Sequence, residues 1–256
     1  MTAKLTRLEL KQKIYRRRYL VPNAVTLANL FCGFLAIIYA SSFRFEKAVI
    51  AIVLAILLDG LDGRVARRLN ATSKFGLEFD SFSDLVSFGV APAMLIYHWA
   101  FQQQADEWGV FVTFVYAICA ASRLARFNIA PENLKGFTGL PTPGAAAVVA
   151  AVVNLSPAIG QDLTLAAGAT AFMFLLGYLM VCTIPFFSVK SIKVTHISFP
   201  LAMIPIGALI ASVWYAPKLG FLALAAGYAL SGPLAGCYSL IFGGGSTNND
   251  NQKDVA

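Results

Sequence analysis

The chain has 256 residues, 58% of them hydrophobic and only 13% charged, with a mean hydropathy of +0.68. A soluble domain is roughly 45–50% apolar and about 25% charged, so composition excludes a disordered or collagenous chain and argues against a water-soluble globule. The net charge of +7 is read first as membrane topology, not as a nucleic-acid footprint, because basic residues of membrane proteins gather on the cytoplasmic side.

Residues 1–20 form a basic leader in which Leu5, Leu8 and Leu10 are interspersed with charge. No small-residue cleavage site precedes the first apolar run, so the leader does not read as a secretory signal. It fits a cytoplasmic amphipathic helix lying on anionic head groups, and equally a solvated basic tail that only sets topology. Eight apolar runs follow, at 22–41, 45–66, 78–100, 108–127, 142–159, 163–182, 198–215 and 218–240, each near the length a helix needs to cross a bilayer. The tail from Gly243 to Ala256 is polar and Gly/Asn-rich and reads as disordered.

The expected fold is therefore all-α: a leader (1–20), a transmembrane domain of about eight helices (21–240) and a cytoplasmic tail (241–256). With the N-terminus inside, only Arg44, Lys47 and Lys218 of the 20 Lys and Arg fall on the outer side, which gives N-in, C-in topology. Trp99, Trp108, Trp214 and Tyr215 then lie near outer ends, as an interfacial aromatic belt requires. Cys32, Cys119, Cys182 and Cys237 sit singly in apolar runs and read as packing residues rather than a disulfide or zinc framework. His98 and His196 have no ligand-spaced partner and read as interfacial.

The informative stretch is 59–84, where four aspartates stand among apolar spans. Asp59 and Asp62 are three apart at the end of the second span, and Asp80 and Asp84 four apart at the start of the third. Each pair shares a helix face, and a short connection makes the two helices antiparallel neighbours, so the pairs can converge. Four ionised carboxylates repel and need a compensating charge. Hard oxygen donors suit Mg²⁺ or Mn²⁺, and two such ions can clamp phosphates during in-line displacement. Gly63, Ala66 and Gly76 leave room for a flat group, and Arg67 can pair with a phosphate. A cation-coupled transporter is the reading from another class, since intramembrane carboxylates often serve transport.

The run Asp59-x-x-Asp62-Gly63-x-x-Ala66-Arg67, eight residues, then Gly76-x-x-x-Asp80-x-x-x-Asp84 resembles the complete signature of the CDP-alcohol phosphatidyltransferase family. The resemblance covers about the first six spans and implies a six-helix core, a homodimer and a site open to the cytoplasm near the membrane surface. It implies that Asp59, Asp62, Asp80 and Asp84 coordinate two divalent cations, Mg²⁺ or Mn²⁺, with Asp84 also the general base. Asn23, Thr26, Gly63, Ala66, Arg67 and Gly76 would receive the CDP moiety. For Asn23, an N-cap beside Pro22 is the structural alternative.

Arg123 and Arg126 lie on one face near the inner end of span four, where a guanidinium pair can bind an amino-acid carboxylate or a lipid phosphate. Snorkelling anchors are the plainer reading of either one. The run Arg123-Leu124-Ala125-Arg126-Phe127-Asn128, together with Phe137-x-Gly139-Leu140-Pro141-x-Pro143, resembles the phosphatidylserine synthase branch of the family. Asn29, in Pro22-Asn23-x-x-Thr26-x-x-Asn29, and more loosely Pro185 to Lys190, resemble that branch too. The resemblance implies transfer of a phosphatidyl group from CDP-diacylglycerol to L-serine in a prokaryotic inner or cell membrane, with Arg126, Asn128 and then Arg123 as acceptor contacts. Siblings using glycerol 3-phosphate or inositol phosphate are the nearest alternatives.

Overall fold

A computed structural model describes residues 7–68, 73–103, 105–129, 139–157, 162–182 and 216–242. The described residues contain helices and no strand: α1 (Arg7–Ser41), α2 (Phe45–Arg68), α3 (Lys74–Phe101), α4 (Asp106–Ile129), α5 (Thr142–Leu155), α6 (Leu163–Val181) and α7 (Pro217–Phe242). Four helical segments, Pro22–Ser41, Lys74–Phe101, Asp106–Ile129 and Leu163–Val181, are long and apolar enough to cross a membrane. The expected run at 198–215, the segment Pro185 to Lys190, His196, Trp214 and Tyr215 lie outside the described residues. So does the tail from Gly243.

Helix α1 runs without a break from Arg7 through Pro22, so no helix end separates leader from first span. The hydroxyl of Thr26 donates to the Pro22 carbonyl at 3.2 Å. At the other end, the turn Ser42–Arg44 reverses the chain, with Phe43 in the left-handed region at φ 56°. That tight turn makes α1 and α2 antiparallel neighbours. The two helices pack against each other, and both bury small residues, Ala36 and Ala40 on α1 and Ala48, Ala51 and Ala55 on α2. Small side chains permit close approach of two helices where lipid offers no hydrophobic drive. On the outer face of α1, Leu27, Phe31, Phe34 and Ile38 form an exposed stripe, and Ile50, Leu54, Leu57 and Leu61 do the same on α2. A stripe of that size is an anomaly in water and ordinary against acyl chains.

Helix α3 packs against α1 and α4. Gly33 lets α1 meet it closely: a Cβ there would lie 2.7 Å from Ser87 Cα. Over Leu85–Val90, immediately after Asp84, α3 widens to i→i+5 bonding, and a second wide stretch covers Tyr97–Phe101. Such wide turns frequently accompany functional sites. The Tyr116 hydroxyl of α4 donates to the Phe88 carbonyl at 3.2 Å, inside the first wide stretch.

The two ends of the bundle are tied differently. At one end, Trp99 Nε1 donates to the Ser156 carbonyl (3.0 Å), Trp108 Nε1 donates to Thr170 Oγ1 (3.1 Å), and Tyr97 donates to Asp106. Lys218 of α7 approaches Glu46 of α2 there, at 3.9 Å. Asp162 caps α6 by accepting from the Leu165 N–H (2.7 Å) and the Thr164 hydroxyl (2.9 Å). These bonds hold its carboxyl below the usual carboxylate range. Trp99, expected at the interface, is instead buried. His98 is buried as well, with Nδ1 2.6 Å from Gln102 Oε1 and its ring edge-on to Tyr97 and Phe43.

At the opposite end, Leu140 N–H donates to the Leu179 carbonyl at 2.8 Å. Gly139 takes φ +79° with its α-carbon facing backbone; a Cβ there would lie 2.9 Å from the Cys182 carbonyl oxygen. The stretch from Gly139 to Pro143 is thus a structural clasp. Gly139 supplies a left-handed turn, buried Leu140 seats against α6, and Pro141 with Pro143 starts α5. Cys32, Cys119 and Cys182 are partly buried thiols within the packing.

Candidate active site

The carboxylates meet at the end of the bundle that holds the Gly139 clasp. Asp59 and Asp62 come from the last turns of α2, and Asp80 and Asp84 from the first turns of α3. Ser73 starts α3: its Oγ accepts from the Gly76 N–H at 2.9 Å, closing an N-cap. Oxygens of Asp59, Asp62 and Asp80 all lie within 4.8 Å of one another, with Asp62 buried. Asp84 stands outside that triad and faces Asp59, while Asp80 faces Asp62, each pair close enough for a carboxyl–carboxyl hydrogen bond. Asp80 Oδ1 is buried without a partner among the described residues. Three convergent hard oxygens and an orphaned acceptor fit a divalent cation, and a buried acidic group without such compensation is costly.

A polar seam from α1 holds the cluster in place. Thr26 Oγ1 lies 3.2 Å from Asp62 Oδ2, and Asn29 Nδ2 donates to Asp84 Oδ1 at 3.4 Å. The α3 hydroxyls answer: Ser83 Oγ donates to the Thr26 carbonyl (3.2 Å) and Ser87 Oγ to the Asn29 carbonyl (3.1 Å). Thr26 and Asn29 are one turn apart, so one helix face reaches both pairs of acids. Asn23 is drawn in as well, since a Cβ on Gly76 would lie 3.3 Å from Asn23 Oδ1. Around Gly63 a Cβ would meet nothing within 4 Å among the described residues, so they leave its edge of the cluster open. The side chains of Ala66 and Arg67 lie outside the described residues; their backbone completes α2.

The three α4 residues are placed unequally. Arg126 is exposed, and its guanidinium donates to the carbonyls of Val181 (3.0 Å) and Cys182 (3.5 Å), closing the end of α6. Asn128 Nδ2 donates to Ser81 Oγ at 2.9 Å and so ties α4 to α3 between the aspartate pairs. Arg123 is only 8% exposed, its Nε has no partner among the described residues, and its charge interacts with the Tyr228 hydroxyl, Arg126 and Asp84. Tyr228 comes from α7 and packs over Gly144 of α5. Tyr228, Ser81, Ser83 and Ser87 were not legible as site residues: single hydroxyls in apolar or mixed runs have no spacing signal of their own.

A helical bundle with membrane-length segments among the described residues and a carboxylate cluster at one mouth, fitted to a divalent cation, defines a membrane-protein class of metal site. The chain belongs to the CDP-alcohol phosphatidyltransferase family, whose sequence profile matches residues 19–189. A Helicobacter pylori protein is 42% identical over 181 residues, covering 68% of this chain and 75% of its own length. A Bacillus subtilis protein is 42% identical over 123 residues (48% of this chain, 69% of its own), and a Methanocaldococcus jannaschii protein 40% identical over 140 (55% and 63%). All three bear the name CDP-diacylglycerol–serine O-phosphatidyltransferase.

Proposed function

We propose that this chain transfers the phosphatidyl group of CDP-diacylglycerol to the hydroxyl of L-serine, giving phosphatidylserine and CMP. The observation that carries the reading is the meeting of Asp59, Asp62 and Asp80 from two helices, with Asp84 beside them. They stand in a chain whose relatives bear that one enzyme name.

Asp59, Asp62 and Asp80, with Asp84 at the edge, would hold two divalent cations, Mg²⁺ or Mn²⁺. Such ions neutralise charge on a pyrophosphate and ease departure of its leaving group. Asn23, Thr26, Gly63, Ala66, Arg67 and Gly76 receive the CDP moiety; the open space at Gly63 and the approach of Asn23 to Gly76 support this. Asp84 takes the proton from the serine hydroxyl. The serine oxygen forms a bond to the phosphorus that carries the diacylglycerol, and the bond from that phosphorus to CMP breaks. A metal-bound carboxylate is a poor base; the position of Asp84 outside the triad supports its taking this task. Arg123 accepts the serine carboxylate, because it is the buried guanidinium with donor capacity left. Arg126 and Asn128 hold the surrounding helices, through the Val181 carbonyl and Ser81, and would contact the acceptor from α4.

The topology that suits this chemistry has eight spans, N-in and C-in, in three parts (1–20, 21–240 and 241–256). A six-helix core pairs as a homodimer, and the site opens to the cytoplasm. Helix α6 ends at the site end while α7 begins at the opposite end, which supports a seventh span at 198–215. The test is purified protein in detergent with CDP-diacylglycerol, Mg²⁺ or Mn²⁺, and serine, glycerol 3-phosphate or inositol phosphate. CMP released with serine above the others is expected. Equal release with all acceptors overturns the serine assignment, and metal-dependent ion flux without CMP overturns the class.

A further inference from the structure

We infer that Asn29, with Arg123, forms the two poles of an α-amino-acid subsite around Asp84, Asn29 Oδ1 taking the acceptor's ammonium group and Arg123 its carboxylate. The inference rests on serine being the acceptor, and it adds a specificity-determining residue on α1. Asn29 is fully buried, and only its N–H can donate to Asp84, so that bond fixes which way the amide faces. Its Oδ1 is left buried with no partner among the described residues. Arg123, buried on α4, is left with an Nε that has no partner among them either. Thus α1 and α4, the two helices that flank α3, each bring a buried polar group with an unmet bond, of opposite hydrogen-bonding sense: Asn29 bonds Asp84 directly, and the charge of Arg123 interacts with the same aspartate. Burying either without a partner is costly, and a small zwitterion carrying a hydroxyl satisfies both while presenting its oxygen to Asp84.

The four carboxylates favour any cation near them. What Asn29 adds is direction: its two amide atoms are fixed to each other, so the bond from Nδ2 to Asp84 holds Oδ1, a neutral acceptor, beside that carboxylate. A neutral alcohol or a phosphate monoester supplies no donor of that charge for Oδ1, so this residue separates an amino acid from a sugar phosphate.

The test compares wild type, Asn29→Leu and Asn29→Asp in detergent with CDP-diacylglycerol and Mn²⁺. Serine KM and kcat are read together with inhibition by alanine, which has both poles and no hydroxyl, and by propionate, which has only the carboxylate. A hydrogen bond to a charged group corresponds to roughly 10- to 100-fold in affinity. Asn29→Leu should raise serine KM and weaken alanine by about tenfold or more while leaving propionate unchanged. Asn29→Asp, which keeps an acceptor oxygen and loses the donation to Asp84, should restore alanine inhibition with kcat still low. Inhibition constants read only the folded, active fraction; a variant without turnover is titrated with alanine by calorimetry instead. Unchanged alanine affinity in Asn29→Leu overturns the subsite, leaving Asn29 as a support for Asp84 alone. No turnover of serine by wild type overturns the acceptor assignment itself and this inference with it.

Discussion

The two ends of the bundle use polar side chains in opposite ways. At the end away from the acids, Trp99, Trp108 and Tyr97 donate to Ser156, Thr170 and Asp106, and Asp162 is saturated as a helix cap. At the acid end, Asn29 Oδ1, Asp80 Oδ1 and Arg123 Nε are buried with no partner among the described residues. Polar groups of the first kind fasten helices. Groups of the second kind cost stability in the free protein and are repaid only when something binds. Unmet capacity, rather than polarity, therefore marks where ligands go.

The sharpest break of that contrast is Asp84→Asn. Losing a general base lowers turnover by roughly 100- to 10,000-fold, while the unfolding temperature should hold, because the amide relieves carboxylate repulsion. An unfolding temperature that drops with the activity would recast Asp84 as structural. Next, Asp59→Asn, Asp62→Asn or Asp80→Asn should each weaken Mn²⁺ binding, read by electron paramagnetic resonance in detergent. The loss should exceed the roughly 10- to 100-fold typical of removing a group behind a ligand. Unchanged Mn²⁺ affinity in all three would remove the triad as a metal site.

Smaller effects probe the scaffold. Gly33→Ala would place a Cβ 2.7 Å from Ser87 Cα, and overpacking of this kind costs about 1–3 kcal/mol. Because the same seam carries Asn29 to Asp84, turnover should fall along with thermal stability. Stability lost with turnover intact would show that the seam does not position Asp84. Trp99→Phe removes one hydrogen bond at the far end, about 1 kcal/mol, and should lower the unfolding temperature slightly with no change in serine KM. A changed KM there would erase the distinction between the two ends.

Much of this was legible in the sequence because helical phase is a strong signal. The spacing of Asp59, Asp62, Asp80 and Asp84 announced two facing pairs, and the apolar runs at 45–66, 108–127 and 163–182 match α2, α4 and α6 within three residues at each end. What stayed hidden depends on which helix lies against which. Arg123 and Arg126 share a face in the sequence, yet one is buried, its charge interacting with Asp84, and the other closes α6. No spacing rule separates them, because the difference is made by α6 and α7. The Gly139 clasp read as a family marker, and its physical reason emerged only from the positive φ and the carbonyls beneath it. Trp99 read as an interfacial aromatic because position near a span end is all that sequence offers. Its partner, the Ser156 carbonyl, is 57 residues away.

The central claim is phosphatidyl transfer to serine at the acid end, with Asp84 taking the proton. The most direct measurement supplies purified wild type and Asp84→Asn with CDP-diacylglycerol, Mg²⁺ or Mn²⁺ and labelled serine, and follows CMP and lipid-borne label together. Wild type should release CMP in step with label entering the lipid phase, and folded Asp84→Asn should do neither. CMP released at the same rate without serine, or undiminished labelling by Asp84→Asn, would contradict it.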